Sequence, residues 1–279
     1  MIDQRKGPIL RSINAALLVA CLAITGRALG TATLIQGSDR LTPIQREVER
    51  QRQRLSSAEI EERRDALMRL GNLKRPEASR VAAAGLKDPA PIVRATAVHA
   101  VLSLPQAESA AVLIPLLQDK LEFVRRETAY ALGETRSRSA VEALSSLLLF
   151  DKEAGVRAAA AIALGQIGDD AAVNALSQVL NGTAPTKGKK KKASENQFVM
   201  RAAAHSLGQI RSRSSVTVLI AALENETNAN DVRREAATAL GLIGDASAAS
   251  ALRAALVSGD PYLSEAAREA LRRLKIARK

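Results

Sequence analysis

Few side chains in this sequence could make or break bonds. The 279 residues contain two histidines, His99 and His205, and one cysteine, Cys21. Acid–base and nucleophilic catalysis need convergent polar groups of matched pKa. No Gly-x-Ser-x-Gly, P-loop or His-Glu-x-x-His pattern occurs. Lone histidines on packed helices read as core or rim residues rather than ligands. A single cysteine excludes an intrachain disulfide and a cysteine-based zinc site. No catalytic, cofactor-binding or metal-ligating residue is expected, and no cofactor.

The polar residues that do recur are arginine and aspartate. Arg63, Arg94, Arg125, Arg157 and Arg233 come once per segment, and three of them follow an aspartate by six positions (Asp88/Arg94, Asp119/Arg125, Asp151/Arg157). Such an arginine can bridge to an adjacent turn by paired hydrogen bonds, so these five predict a structural ladder. Asp88, Asp119, Asp151 and Asp260 are placed to cap the helix that follows each of them.

These pairs belong to a repeat. Val156 to Gly165 reads VRAAAAIALG, and Val124-Arg125 to Leu132-Gly133 and Val232-Arg233 to Leu240-Gly241 are copies. Val199-Met200 to Leu207-Gly208 has the arginine displaced to Arg201, and weaker copies start at Arg63, Val93 and Leu263. Leu-Gly or its equivalent falls at 70, 101, 132, 164, 207, 240 and 271, a period near 32 with one longer step. A fixed period of this length means a repeat array. The apolar fraction is 47%, with no Trp, 2 Tyr and 3 Phe, so alanine and leucine must form a core of close helix contacts. Strand-type alternation is absent.

Each unit reads as two antiparallel helices. In unit four the first covers about Glu153 to Leu164, Gly165 to Asp169 turns the chain with Gly168 at positive φ, and the second covers about Asp170 to Leu180. Unit two lacks the Leu-Gly turn and should end its first helix at Leu104-Pro105. Residues 57–274 form the array, 31–56 a linker and charged lead-in helix from Ile44, and 275–279 a frayed tail. Pro261 to Leu274 is a terminal helix with the polar outer face of a cap.

The formal charge is +12, of which residues 1–30 hold a net +3 and residues 183–197 a net +4. The array is therefore only modestly basic, and a nucleic-acid surface is not expected. In residues 1–30, Arg5, Lys6 and Arg11 precede Ile13 to Gly26, 14 uncharged residues, the pattern of an export leader. Ala28-Leu29-Gly30 suits a signal peptidase. Leu18-Val19-Ala20-Cys21 resembles a lipobox whose cysteine is lipidated. An uncleaved anchor is the third reading. The expected location is exported, periplasmic or envelope-associated. Residues 181–197 interrupt the period with Lys187, Lys189, Lys190, Lys191 and Lys192, predicting a mobile basic loop that is either merely solvated or an electrostatic tether to an anionic surface or acidic partner. Membrane association could come through the leader or this loop.

The pattern D-x-x-x-x-V-R-x-x-A-A-x-A-L-G-x-I-G-D, followed by a second helix ending in Leu-x-Asp, resembles the HEAT repeat, and more narrowly the short bacterial class named after phycobilisome lyases. The resemblance implies an all-α fold, a right-handed α-α superhelix of about six helix pairs plus a terminal capping helix. Scaffolds, adaptors and a few enzymes share this fold. HEAT-like deoxyhypusine hydroxylases hold iron through His-Glu pairs, and this sequence has no His-Glu dipeptide. In such arrays the second helices line the concave face, here with Arg80; Ala111 and Ile114; Glu142, Ser145 and Ser146; Asn174, Ser177 and Gln178; Thr217 and Ile220; Ser250 and Arg253. That surface is small, neutral and without an aromatic to stack on a base. The expected function is a non-enzymatic scaffold or adaptor that binds a protein or peptide along this face. The alternative is a lyase-like HEAT enzyme or enzyme-assembly subunit acting with another protein. The turns Arg136-Ser137-Arg138 and Arg211-Ser212-Arg213 are basic where Asp169-Asp170 and Asp245 are acidic, which avoids like charges on neighbouring turns.

Overall fold

The computed structural model describes residues 41–183 and 195–276. Cys21 and the rest of the leader, Lys187, Lys189, Lys190, Lys191 and Lys192, and residues 277–279 lie outside the described residues. Two bodies divide the chain, Met1–Arg50 and Gln51–Lys279, and the array belongs to the second. Helix α1 (Pro43–Arg54) precedes the array. Its start is a capping box: Gln45 N donates to Thr42 Oγ1 at 3.2 Å and Thr42 N donates to Gln45 Oε1 at 2.9 Å. With Pro43 at the first helical position, where no N–H is needed, the helix begins one residue before the expected Ile44.

Six helix pairs follow. They are α2 (Ile60–Asn72) with α3 (Pro76–Ala82), α4 (Pro91–Ala100) with α5 (Gln106–Leu113), α6 (Glu122–Thr135) with α7 (Val141–Phe150), α8 (Ala154–Ile167) with α9 (Val173–Leu180), α10 (Gln197–Ile210) with α11 (Val216–Glu224), and α12 (Asn230–Ile243) with α13 (Ala249–Ala255). A last helix, α14 (Pro261–Ile276), closes the array. It runs two residues into the segment expected to fray. Among the described residues all regular structure is helical, and the architecture is an all-α solenoid. The first helices of successive units pack side by side in one layer, and the second helices form the other.

The core is leucine and alanine. Leu132, Leu164, Leu207 and Leu240, one per unit, are fully buried, with Ala129, Ala163, Ala203 and Ala236 around them. Leu164→Ala removes a fully buried side chain from the middle of the stack. It is expected to cost about 2–5 kcal/mol of unfolding free energy, read by urea titration.

The Leu-Gly motif has a different role from the one its sequence suggested. Gly165 is not in a turn, because α8 continues to Ile167 and Gly168 (φ 73°) ends it. Gly133, Gly165, Gly208 and Gly241 are all helical and buried. A Cβ on Gly208 would lie 2.8 Å from Ala239 Cα, and one on Gly241 would lie 2.7 Å from Ala270 Cα. Gly133, Gly208 and Gly241 let the backbones of neighbouring helices come together, and Gly165 makes room for the Ser206 and Gln209 side chains. Unit two has Leu102 at this position. Its first helix stops at Ala100 and residues 101–103 form a turn, so it ends four residues short of the expected Leu104.

Candidate functional site

Two structural features follow the array: a row of contacts at the turns between units, ion pairs in all but unit five, and the exposed face of the second-helix layer. In the first three units the ion pairs share one geometry. Arg63 Nε and Nη2 donate to Asp88 at 2.7 and 3.0 Å, Arg94 to Asp119 at 2.7 and 2.9 Å, and Arg125 to Asp151 at 2.7 and 3.0 Å. The remaining Nη1 of each arginine donates to two carbonyls of its own preceding turn, as Arg94 does to Asp88 O and Pro89 O. Every rung therefore joins two successive turns through a planar guanidinium that only arginine supplies. Asp88, Asp119 and Asp151 do not cap the following helix. Each accepts from the N–H two residues on, at Ala90, Leu121 and Glu153, the residue just before the helix. Asp260 does cap, accepting from Tyr262 N inside α14 at 3.0 Å.

The ladder changes beyond unit three. Arg157 reaches Glu195 Oε1 by a single bond of 2.7 Å, and its Nε is buried with no hydrogen-bond partner. Glu195 and Asn196 thus belong to an ordered turn, with Asn196 capping α10 through Phe198 N, and not to the inserted loop. In unit five, where Met200 takes the arginine position, Gln197 Oε1 accepts from Ala229 N at 3.0 Å across the junction. Arg233 is not a rung. Its Nε donates to Leu223 O, and Arg234 holds Asp260 at 2.7 and 2.8 Å. The longer turn Asn225–Ala229, tied by Asn228 Nδ2 to Ala222 O, moves the role to the next residue.

On the second-helix face, Glu142, Ser146, Asn174, Thr217, Ser250 and Arg253 are exposed, and Ser145, Ser177 and Gln178 are half-buried. The Ser145 hydroxyl is itself buried without a partner. Arg80 is exposed but engaged, donating to both Glu108 oxygens at 2.9 Å across units one and two. Between units four and five this face opens into a groove of about 560 Å³. It is lined by Asp170, Val173, Asn174, Ser177, Asn181, Ser214, Thr217, Val218 and Ala221. The structure brings Asn174, Ser177 and Thr217 together there, and it adds Asp170, Asn181 and Ser214, which repeat alignment did not place on the face. Nothing in the local pattern marks these three, because each sits at a helix end or in a 3₁₀ turn.

The family model for HEAT repeats matches residues 48–130, 111–187 and 191–272. The chain is a HEAT-repeat protein. Similar folds are known. The X-ray structure of Escherichia coli YibA is 19% identical with a TM-score of 0.57, covering 98% of this chain and 99% of that one. An engineered protein is 21% identical with a TM-score of 0.51, covering 82% of this chain and 68% of that one. The complex of CpcE and CpcF of phycocyanin lyase from Nostoc is 23% identical with a TM-score of 0.48, covering 83% and 87%. No curated protein matches the sequence significantly.

Neither histidine of this HEAT-repeat chain is in the core. His99 Nε2 lies 3.3 Å from Glu127 Oε2, and His205 Nδ1 lies 2.8 Å from Glu235 Oε1. Both pairs join the first helices of successive units on the exposed side. Among the described residues no three His, Cys, Asp or Glu side chains are grouped to hold a metal ion.

The HEAT ladder also sets an acid limit on stability. Burial alone would raise the Asp88 and Asp119 carboxyls, but bonds from Arg63 and Arg94, a backbone N–H and the guanidinium charge outweigh it and hold both below the usual carboxylate range. Asp260 is lowered in the same way by Arg234 and backbone N–H groups. A depressed folded-state pKa contributes stability above the unfolded value, about 3.9, and that stability is lost as pH falls through the folded value. Urea midpoints are expected to fall steeply below about pH 4. A flat acid limb would show that these pairs do not couple to folding.

Proposed function

We propose that this chain is a non-enzymatic interaction scaffold that takes a segment of a partner protein on its second-helix layer. The groove between α9 and α11 carries this reading. Asn174, Ser177, Asn181, Ser214 and Thr217 present neutral donors and acceptors to a segment lying along it, and Val173 and Val218 give it an apolar floor. A hydrogen-bonding trough whose one charged lining residue is the carboxylate Asp170 suits a peptide main chain better than a polyanion, which would want a lysine and arginine stripe. We also propose an exported or envelope location, supported by the basic residues and uncharged stretch of the leader; mass spectrometry of the native protein distinguishes a cleaved, lipidated or intact N-terminus.

The test is a blocked groove. Ser177→Arg with Thr217→Arg fills the trough with two long side chains at positions that are half-buried and exposed, so the fold is retained. Partner protein co-purified from native cells should be lost from this variant and kept by Arg201→Glu on the opposite layer. Loss from Arg201→Glu alone would move the binding surface to the first helices.

A further inference from the structure

Five of the six helix pairs end the first helix, or the turn after it, with a residue of positive φ. In units four and six it is glycine, Gly168 (φ 73°) and Gly244 (φ 76°). In units one, three and five it is a cation, Lys74 (φ 50°), Arg136 (φ 52°) and Arg211 (φ 59°). This left-handed conformation crowds a Cβ against the following carbonyl, a penalty glycine escapes. The backbone work needs no side chain in either case, though Arg136 N donates three residues back, to Gly133 O. Gly168 N and Arg211 N each donate to the carbonyl four residues back, and Arg136 O accepts from Gln106 Nε2, which glycine would also allow. Among the described residues the side chains of Arg136 and Arg211 make no ion pair or hydrogen bond, and both are exposed. Strained residues whose exposed side chains make no ion pair or hydrogen bond point to a role outside folding.

These turns line one edge of the stack. Arg138 Nε lies 3.2 Å from Asp169 Oδ2, and Arg213 Nε lies 3.8 Å from Asp245 Oδ2, so neighbouring turns face each other. Arg138 and Arg213 are thus partly neutralised within the edge, while Arg136 and Arg211, two units apart, and Lys74 in unit one have no ion pair among the described residues. We propose that Arg136 and Arg211 form a docking edge for an acidic peptide segment of a partner, each guanidinium taking a carboxylate. This edge adjoins the groove between α9 and α11, which shares Asp170 with it, but neither arginine lines that groove. A uniform polyanion such as nucleic acid fits it poorly, because Asp169 and Asp170 stand between the two arginines. A peptide can place carboxylates at both and none between. Two units span about 20 Å at ordinary helix spacing. An extended chain covers that in about six residues.

Two readouts on the full chain test this. A fluorescent peptide with two Glu-Glu pairs separated by a six-residue Gly-Ser spacer is titrated at low salt, beside a labelled oligo-dT strand. The native chain should bind the peptide more tightly than the oligonucleotide, and Arg136→Gly/Arg211→Gly should weaken peptide binding by about tenfold. The same variant should melt at an equal or higher temperature than the native chain, by up to about 4 °C, since glycine relieves the strain. A lower melting temperature would assign the arginines to folding and overturn the proposal. So would absent peptide binding, unchanged binding by the variant, or preference for the oligonucleotide.

Discussion

Gly208→Val should destabilise the array by about 3 kcal/mol, near the top of the range for overpacking. The new side chain would start 2.8 Å from both Cα and Cβ of Ala239, and backbone atoms cannot turn aside as a long side chain can. Relief requires α10 and α12 to move apart, which opens the leucine and alanine core on both sides of the junction. Helix propensity acts in the other direction and is worth at most about 1 kcal/mol. Gly155 supplies the control. It lies near the start of α8, and a Cβ there meets nothing within 4 Å. Gly155→Ala should leave stability equal or raise it by up to about 1 kcal/mol. Urea denaturation of both variants reads the two signs. If both substitutions are neutral, the first helices do not pack through these glycines.

Arg125→Ala should cost about 3–5 kcal/mol, as removal of one partner from a buried ion pair does. Arg125 is only 8% exposed, and the Asp151 side chain it holds is 6% exposed. Its loss leaves that carboxylate without its cation, and it strips a donor from Asp119 O and Lys120 O. Arg125→Lys should recover less than half of the loss, because one ammonium cannot face a carboxylate and two carbonyls in the guanidinium's planar arrangement. Arg233→Ala, at a position of the same sequence pattern, should cost about 1 kcal/mol, since it gives up a single bond to Leu223 O. Thermal melts of the three variants check the order. Equal losses at Arg125 and Arg233 would contradict the ladder as described.

The repeat, its pairing of helices and its leucine core were legible because each is written in periodicity. What periodicity cannot express is which neighbour a residue meets. The glycine after each Leu-Gly leucine was read as turn chemistry, yet its cause is a helix about thirty residues away. Adjacent Arg233 and Arg234 look alike in sequence, and only the longer Asn225–Ala229 turn decides which one reaches Asp260. Asp88, Asp119 and Asp151 look like caps, but two intervening residues hold their carboxylates in the turn short of the helix start, and only Asp260, next to α14, reaches a helical N–H. Arg136 and Arg211 read as ordinary basic turn residues, because positive φ leaves no mark when glycine is not used. On the second-helix face the exposed positions follow from helical spacing. Asn181 and Ser214 were missed because they belong to helix ends, where spacing stops being informative.

The central claim is that the second-helix layer between units four and five is where this HEAT-repeat chain meets its partner. Site-specific photo-crosslinking tests it most directly, with the photoreactive side chain at Thr217 in the groove or at Arg201 on the opposite layer. The account predicts one discrete adduct from position 217 in native cells and none from position 201. An adduct from position 201 with none from 217 would contradict it.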